Sequence, residues 1–185
     1  NMDKNLSGKY MLNSDAGSNG ILDATDTKNW NGGLGFYPVG EGNDPTQTPD
    51  TTLFTGTFDG LNFAIDGLTE LRPALRNVGL FGYIGAAGTV QNLELSNLNL
   101  DGLDYVGGVA GANRGKIFNI KTSGTLTLEA GTTYNMIGGV VGYIPESASG
   151  TVDQCYNKAT IIVSKNANKK NVFAGGICGE LYGAK

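Results

Sequence analysis

Gly107-Gly-Val-Ala-Gly111, Gly138-Gly-Val-Val-Gly142 and Gly175-Gly-Ile-Cys-Gly179 are three copies of one glycine-framed phrase, and Val78-Gly-Leu-Phe-Gly82 is a variant that precedes them. The closing glycines stand at 82, 111, 142 and 179, in steps of 29, 31 and 37 residues. A repeat of this length reads as one coil of a stacked chain. Such a coil cannot bury its apolar face alone and needs the coil next to it.

Short strands fill the space between the phrases. Thr89-Val-Gln-Asn-Leu-Glu-Leu95, Lys116-Ile-Phe-Asn-Ile120 and Thr151-Val-Asp-Gln-Cys155 occupy equivalent places. Val90, Ile117 and Val152 then align, as do Leu93, Ile120 and Cys155. Period-two alternation puts such residues on one face. Coils stacked at about 4.8 Å turn them into internal apolar columns. Gln91, Glu94, Lys116 and Lys121 fall outward or at corners. Asn92, Asn119 and Gln154 form a further line, with the register of an amide ladder. The predicted fold is all-β: a right-handed parallel β-helix-like solenoid with an irregular N-terminal cap. Residues 1–50 form that cap within one domain, and 51–185 form coils starting near 51, 78, 106, 137 and 173. One exception to the strand pattern is Thr69–Arg76, the best helical candidate, which fits a short helix or a loop.

The repeated glycines are Gly79, Gly82, Gly107, Gly108, Gly111, Gly138, Gly139, Gly142, Gly175, Gly176 and Gly179. Two physical causes fit them: positive φ at a coil corner, or close approach of backbones. A phosphate-binding loop does not fit, because no helix and no Gly-Lys-Ser/Thr triad follows.

Composition narrows the chemistry. Histidine is absent from the 185 residues, which removes the commonest general base and transition-metal ligand. The formal net charge is -4, so no basic field exists for nucleic acid. No apolar run reaches the roughly 18 residues of a membrane span. Cys155 and Cys178 lack metal or redox spacing. They read as small buried hydrophobes, with a bridge between coils as the alternative. Asp15, Asn19, Asp23 and Asp26 do not match a calcium loop and read as Asx turns. Asp59, Asp66, Asp101 and Asp104 lie beside or near glycines and carry the same turn reading. No catalytic residue, cofactor or metal site is expected.

Val78-Gly-Leu-Phe-Gly82 and the three later phrases resemble the GLUG motif of bacterial surface and secreted proteins. Phe54-Thr-Gly-Thr-Phe-Asp-Gly60 with Ile65-Asp-Gly-Leu68 resembles the segment before the first motif. Tyr10 to Val39, with Ser14-Asp15 and Trp30, resembles the usual entry to these repeats. The later copies depart from Gly-Leu-Phe-Gly but keep small or apolar fillers. The resemblance implies a β-helix-like solenoid in an extracellular or cell-surface setting, often in adhesin-like or peptidase-associated polypeptides. It transfers no catalytic residue.

The expected function is therefore a non-catalytic, adhesin-like repeat module that binds an extracellular protein or glycan, or serves as a spacer. The alternative is a carbohydrate-active β-helix enzyme, a lyase or hydrolase with outward carboxylates. Candidate ligand-surface residues are Trp30, Tyr143, Lys165 and Lys169. Trp30 reads either as a plug at one end of the core or as a sugar-stacking ring. Tyr83, Tyr105, Tyr134, Tyr143, Tyr156 and Tyr182 either offer exposed aromatic contacts or cap the apolar columns. The uncapped last coil predicts either continuation of the solenoid or an end-to-end contact.

Overall fold

A computed structural model describes residues 2–13, 19–40, 52–130, 134–146, 149–164 and 171–182. Their chain winds as a right-handed parallel β-helix-like solenoid with three sheets and an N-terminal cap. The largest sheet carries the long strands Thr57–Asp66, Thr89–Gly102 and Lys116–Leu128. A second sheet stacks Asn77–Val78, Tyr105–Gly107, Asn135–Gly138 and Val172–Gly175. A third stacks Phe81–Ile84, Ala110–Asn113, Val141–Ile144 and Cys178–Leu181. Each glycine phrase spans the bend between the second and third sheets.

Alternation along the strands makes the core. Tyr10, Phe58, Val90, Ile117 and Val152 are register partners in successive coils and form one column. Val90 and Ile117 are fully buried. Ile65 pairs with Leu95 in a neighbouring column, and both are buried. Phe54 and Phe81 pack with ring centroids 4.5 Å apart where the cap meets the first coils. The cap is not wholly irregular: Lys9–Met11 and Ile21–Asp23 both pair in parallel with Thr57–Asp66.

The segment Thr69–Arg76, which by sequence fits a short helix or a loop, begins as a strand instead. Thr69–Arg72 pairs in parallel with Asn99 through Gly102, and a turn closes with the Leu75 N–H donating to the Arg72 carbonyl. Pairing with the next coil overrides a weak local preference.

The corners belong to asparagine, not to the repeated glycines. Asn62, Asn92, Asn119 and Gln154 all adopt left-handed backbone, with φ between 51° and 63°. Asparagine visits that region more readily than most residues. The Asn119 side-chain amide donates to Asn92 Oδ1 at 2.9 Å and to Asn62 Oδ1 at 3.2 Å. Asn92 Nδ2 in turn donates to Asp59 at 3.1 Å. Among the repeated glycines, only Gly79 has positive φ. The structure thus selects close approach as the reason for the phrase.

Asn119→Ala is expected to cost about 1–2 kcal/mol, combining a lost hydrogen bond with left-handed backbone strain. Asn119→Gly keeps the backbone and should cost less. Thermal melts of both variants check this, and a glycine variant as unstable as the alanine one would refute the backbone contribution.

Candidate functional site

Two side-chain columns face each other where the glycine phrases fold the second and third sheets together. One runs Asn77, Tyr105, Met136, Phe173. The other runs Tyr83, Ala112, Tyr143, Glu180. At the N-terminal end the seam is closed: Tyr83 is fully buried beneath the Arg114 guanidinium, 5.5 Å from the ring centroid. Arg76 lies 5.8 Å from the Tyr105 ring centroid and pairs with Asp104 at 2.7 Å.

Towards the later coils the seam opens into a cleft of about 210 Å³, lined by Tyr105, Tyr134, Met136, Tyr143, Glu146 and Tyr182. Tyr105 and Tyr143 stack with centroids 5.4 Å apart and planes 22° apart. Tyr134 and Tyr182 are exposed, while Tyr105 and Met136 are buried beneath the opening. Burial pushes the Tyr143 hydroxyl above the ordinary phenol range, and Glu180, Tyr182, Glu146 and Tyr134 push it further. Tyr143 therefore stays a neutral phenol at physiological pH. Burial also raises the Glu180 carboxyl.

Four of the six tyrosines singled out from the sequence converge here. Tyr83 is buried further along the seam, and exposed Tyr156 stands on the long sheet with Lys158 above its ring. Tyr143 thus lines the cleft, whereas Lys165 and Lys169 lie outside the described residues. Trp30 lines a separate apolar cavity of about 360 Å³ between the cap and the first coil, with Phe36, Phe58 and Leu80. Trp30 is 49% exposed, so it edges that cavity rather than plugging the core.

Most of the sequence-nominated carboxylates serve structure. Asp59 is held below the ordinary carboxylate range: burial works against its charge, but Gln91, the Leu61 N–H and Asn92 outweigh it. Asp66 accepts hydrogen bonds from Ser96 and Asn97 in the next coil. Asp23 accepts from the backbone and hydroxyl of Thr25, as an Asx turn does. Asp15 lies outside the described residues. Among the described residues no group of three or more His, Cys, Asp or Glu side chains is arranged to hold a metal ion. No helix among them is long and apolar enough to cross a membrane. The two cysteines are free thiols, not a bridge. Burial pushes the Cys178 thiol up to about 12, which keeps it protonated at physiological pH.

No family model matches the chain, and no solved structure matches it. Halomucin of Haloquadratum walsbyi (strain DSM 16790 / HBSQ001) is 37% identical over 121 residues, which cover 65% of this chain and 1% of halomucin. An immunoglobulin A1 protease of Streptococcus sanguinis is 30% identical over 67% of this chain and 8% of that protein. An immunoglobulin A1 protease of Streptococcus pneumoniae is 24% identical over 96% of this chain and 9% of that protein. The chain thus spans between 1% and 9% of the length of these relatives.

Proposed function

We propose that this chain is a non-catalytic, adhesin-like repeat module of the GLUG-motif kind. It works outside the cell or on its surface, where it binds a protein or glycan. The observation that carries the reading is the tyrosine cleft, an aromatic recess where the seam between the second and third sheets opens. Aromatic rings offer large contact area at small entropic cost, which suits recognition without chemistry. Asp59, Asp66 and Asp23 are engaged in ladders and turns, which favours binding over catalysis. Similarity to small portions of much longer proteins supports a modular role.

The test is a binding screen of the purified chain against glycans and extracellular-matrix proteins. Saturable binding that falls at least about tenfold in Tyr143→Ala supports the reading. A flat screen leaves a spacer role.

A polysaccharide-cleaving β-helix is the second reading, and Asp101 favours it. Burial and the nearby Glu129 carboxylate raise the Asp101 carboxyl, and its buried Oδ1 has no hydrogen-bond partner. Release of new reducing or unsaturated ends from a polysaccharide panel, abolished in Asp101→Asn, would replace the first reading with this one.

A further inference from the structure

The cleft has a chemical bias that the binding reading leaves unnamed. Its lining consists of four phenol rings, one thioether and one carboxylate, with no lysine or arginine among the lining residues. Glu180 follows Tyr143 in the same outward column, one coil further on. A second carboxylate therefore stands beside the aromatic wall. The faces of tyrosine rings are electron-rich and attract cations. Thioether sulfur adds a soft, polarisable contact. An anionic or phosphate-first ligand would meet Glu146 and Glu180 unfavourably.

Size points the same way. A cavity of about 210 Å³ lies below the roughly 300–1,000 Å³ of sites that enclose a drug-sized molecule. It accommodates one compact head rather than a stretch of oligosaccharide. A strongly hydrated primary ammonium resists leaving water, whereas an alkylated ammonium presents apolar methyl groups with the charge spread behind them. Aromatic walls solvate that surface well, and the carboxylates balance its charge.

Resting on the binding reading of this same cleft, we propose that it recognises a small alkylated ammonium compound, with the cationic head held among Tyr134, Tyr143 and Tyr182 and faced by Glu146. Tyr105 and Met136 form the base of the recess. Tyr105 is itself held by its stack on Tyr143 and by the Arg76 guanidinium 5.8 Å from its ring centroid. The cleft is therefore partly built before any ligand arrives.

Titration calorimetry of the full 185-residue chain with choline, against its uncharged isostere 3,3-dimethylbutan-1-ol, tests the proposal. Choline is expected to bind saturably and about tenfold or more tighter than the neutral compound. Tyr182→Ala is expected to weaken choline about fivefold or more, and Glu146→Gln about threefold, with Tyr182→Phe close to the parent. Both altered side chains are exposed, and thermal melts confirm that each variant folds. Equal affinity for the two compounds, no saturable choline binding, or choline binding indifferent to Tyr182→Ala would each overturn it. A sedimentation arm with phosphatidylcholine vesicles separates a free solute from a lipid headgroup: binding to vesicles alone also overturns the proposal. A positive glycan or matrix-protein screen with no choline binding removes this inference and keeps the module reading. Choline binding with a flat screen supports the inference and narrows the binding reading to a small solute.

Discussion

Gly107→Ala is expected to destabilise the chain by at least about 3 kcal/mol, and Gly176→Ala to leave it unchanged within about 0.5 kcal/mol. Both are glycines of the repeated phrase, so motif membership alone predicts equal effects. The surroundings differ. A Cβ on Gly107 would stand 2.2 Å from the Ala110 carbonyl oxygen and 2.6 Å from the Val141 Cα of the next coil. Both neighbours are backbone, on the two inner strands of the third sheet. They cannot rotate away as a side-chain tip can. Gly138 repeats the geometry one coil on, with its Cβ placed 2.2 Å from the Val141 carbonyl and 2.7 Å from the Gly179 nitrogen.

Gly176 is the second glycine of the last phrase, and a Cβ there meets no described atom within 4 Å. The equivalent Gly139 meets the Gly176 carbonyl at 2.3 Å because a coil lies over it. At the second position of the phrase the requirement for glycine thus comes from stacking, whereas the first glycine is also excluded from carrying a Cβ by the carbonyl three residues on in its own phrase, Ala110 after Gly107, Val141 after Gly138 and Cys178 after Gly175. In a domain of this size each kcal/mol moves the melting temperature by about 2–4 °C. Gly107→Ala should therefore melt at least about 6 °C lower, or fail to fold, while Gly176→Ala melts with the parent. Equal losses at the two positions would refute the stacking account.

Glu70→Leu is expected to stabilise the chain by about 1–3 kcal/mol at pH 7, an unusual outcome for a buried substitution. Glu70 is fully buried and lies in register with Leu100, which aligns in turn with Leu126 and Ile161. Every later coil fills this column with an aliphatic side chain. Glu70 Oε2 accepts the Gly79 N–H at 3.2 Å, but Oε1 has no hydrogen-bond partner. Burial pushes the carboxyl well above its ordinary value of 4.5, and the Gly79 hydrogen bond and the Arg72 charge offset only part of that.

The sign of the pH dependence follows. From pH 4.5 upward to the raised value, the folded chain keeps a proton that the unfolded chain has lost. Stability from this group is full below pH 4.5 and falls as pH rises through that window. Glu70→Leu removes the slope, and Glu70→Gln removes it while retaining the bond from Gly79. Melts of the three proteins between about pH 4 and pH 8 check this. A lower melting temperature for Glu70→Leu at pH 7, or an unchanged slope, would count against it.

Much of the scaffold was legible from residue order. Val90, Ile117 and Val152 align because period-two alternation persists through the long strands, and their register is the one observed. The Asn92–Asn119 contact was legible for a related reason, since one amide at the same place in each coil must meet its neighbour once the coils stack. Asn62 joins them through its backbone conformation, although its sequence neighbours differ. Thr69–Arg72 was not legible, because its strand character comes from pairing with Asn99 to Gly102 rather than from its own residues.

The sequence by itself determined the stack: the repeat length, the inward apolar positions and the amide line all follow from local periodicity. Tertiary structure decided what the repeated glycines do and where the tyrosines go. Tyr105, Tyr134, Tyr143 and Tyr182 belong to three different coils and no shared motif. Only the bend between two sheets, tight enough to exclude a Cβ at Gly107 and Gly138, brings their rings to one cleft. Periodicity sets which side chains share a column, but the angle at which two columns meet is fixed by packing between coils.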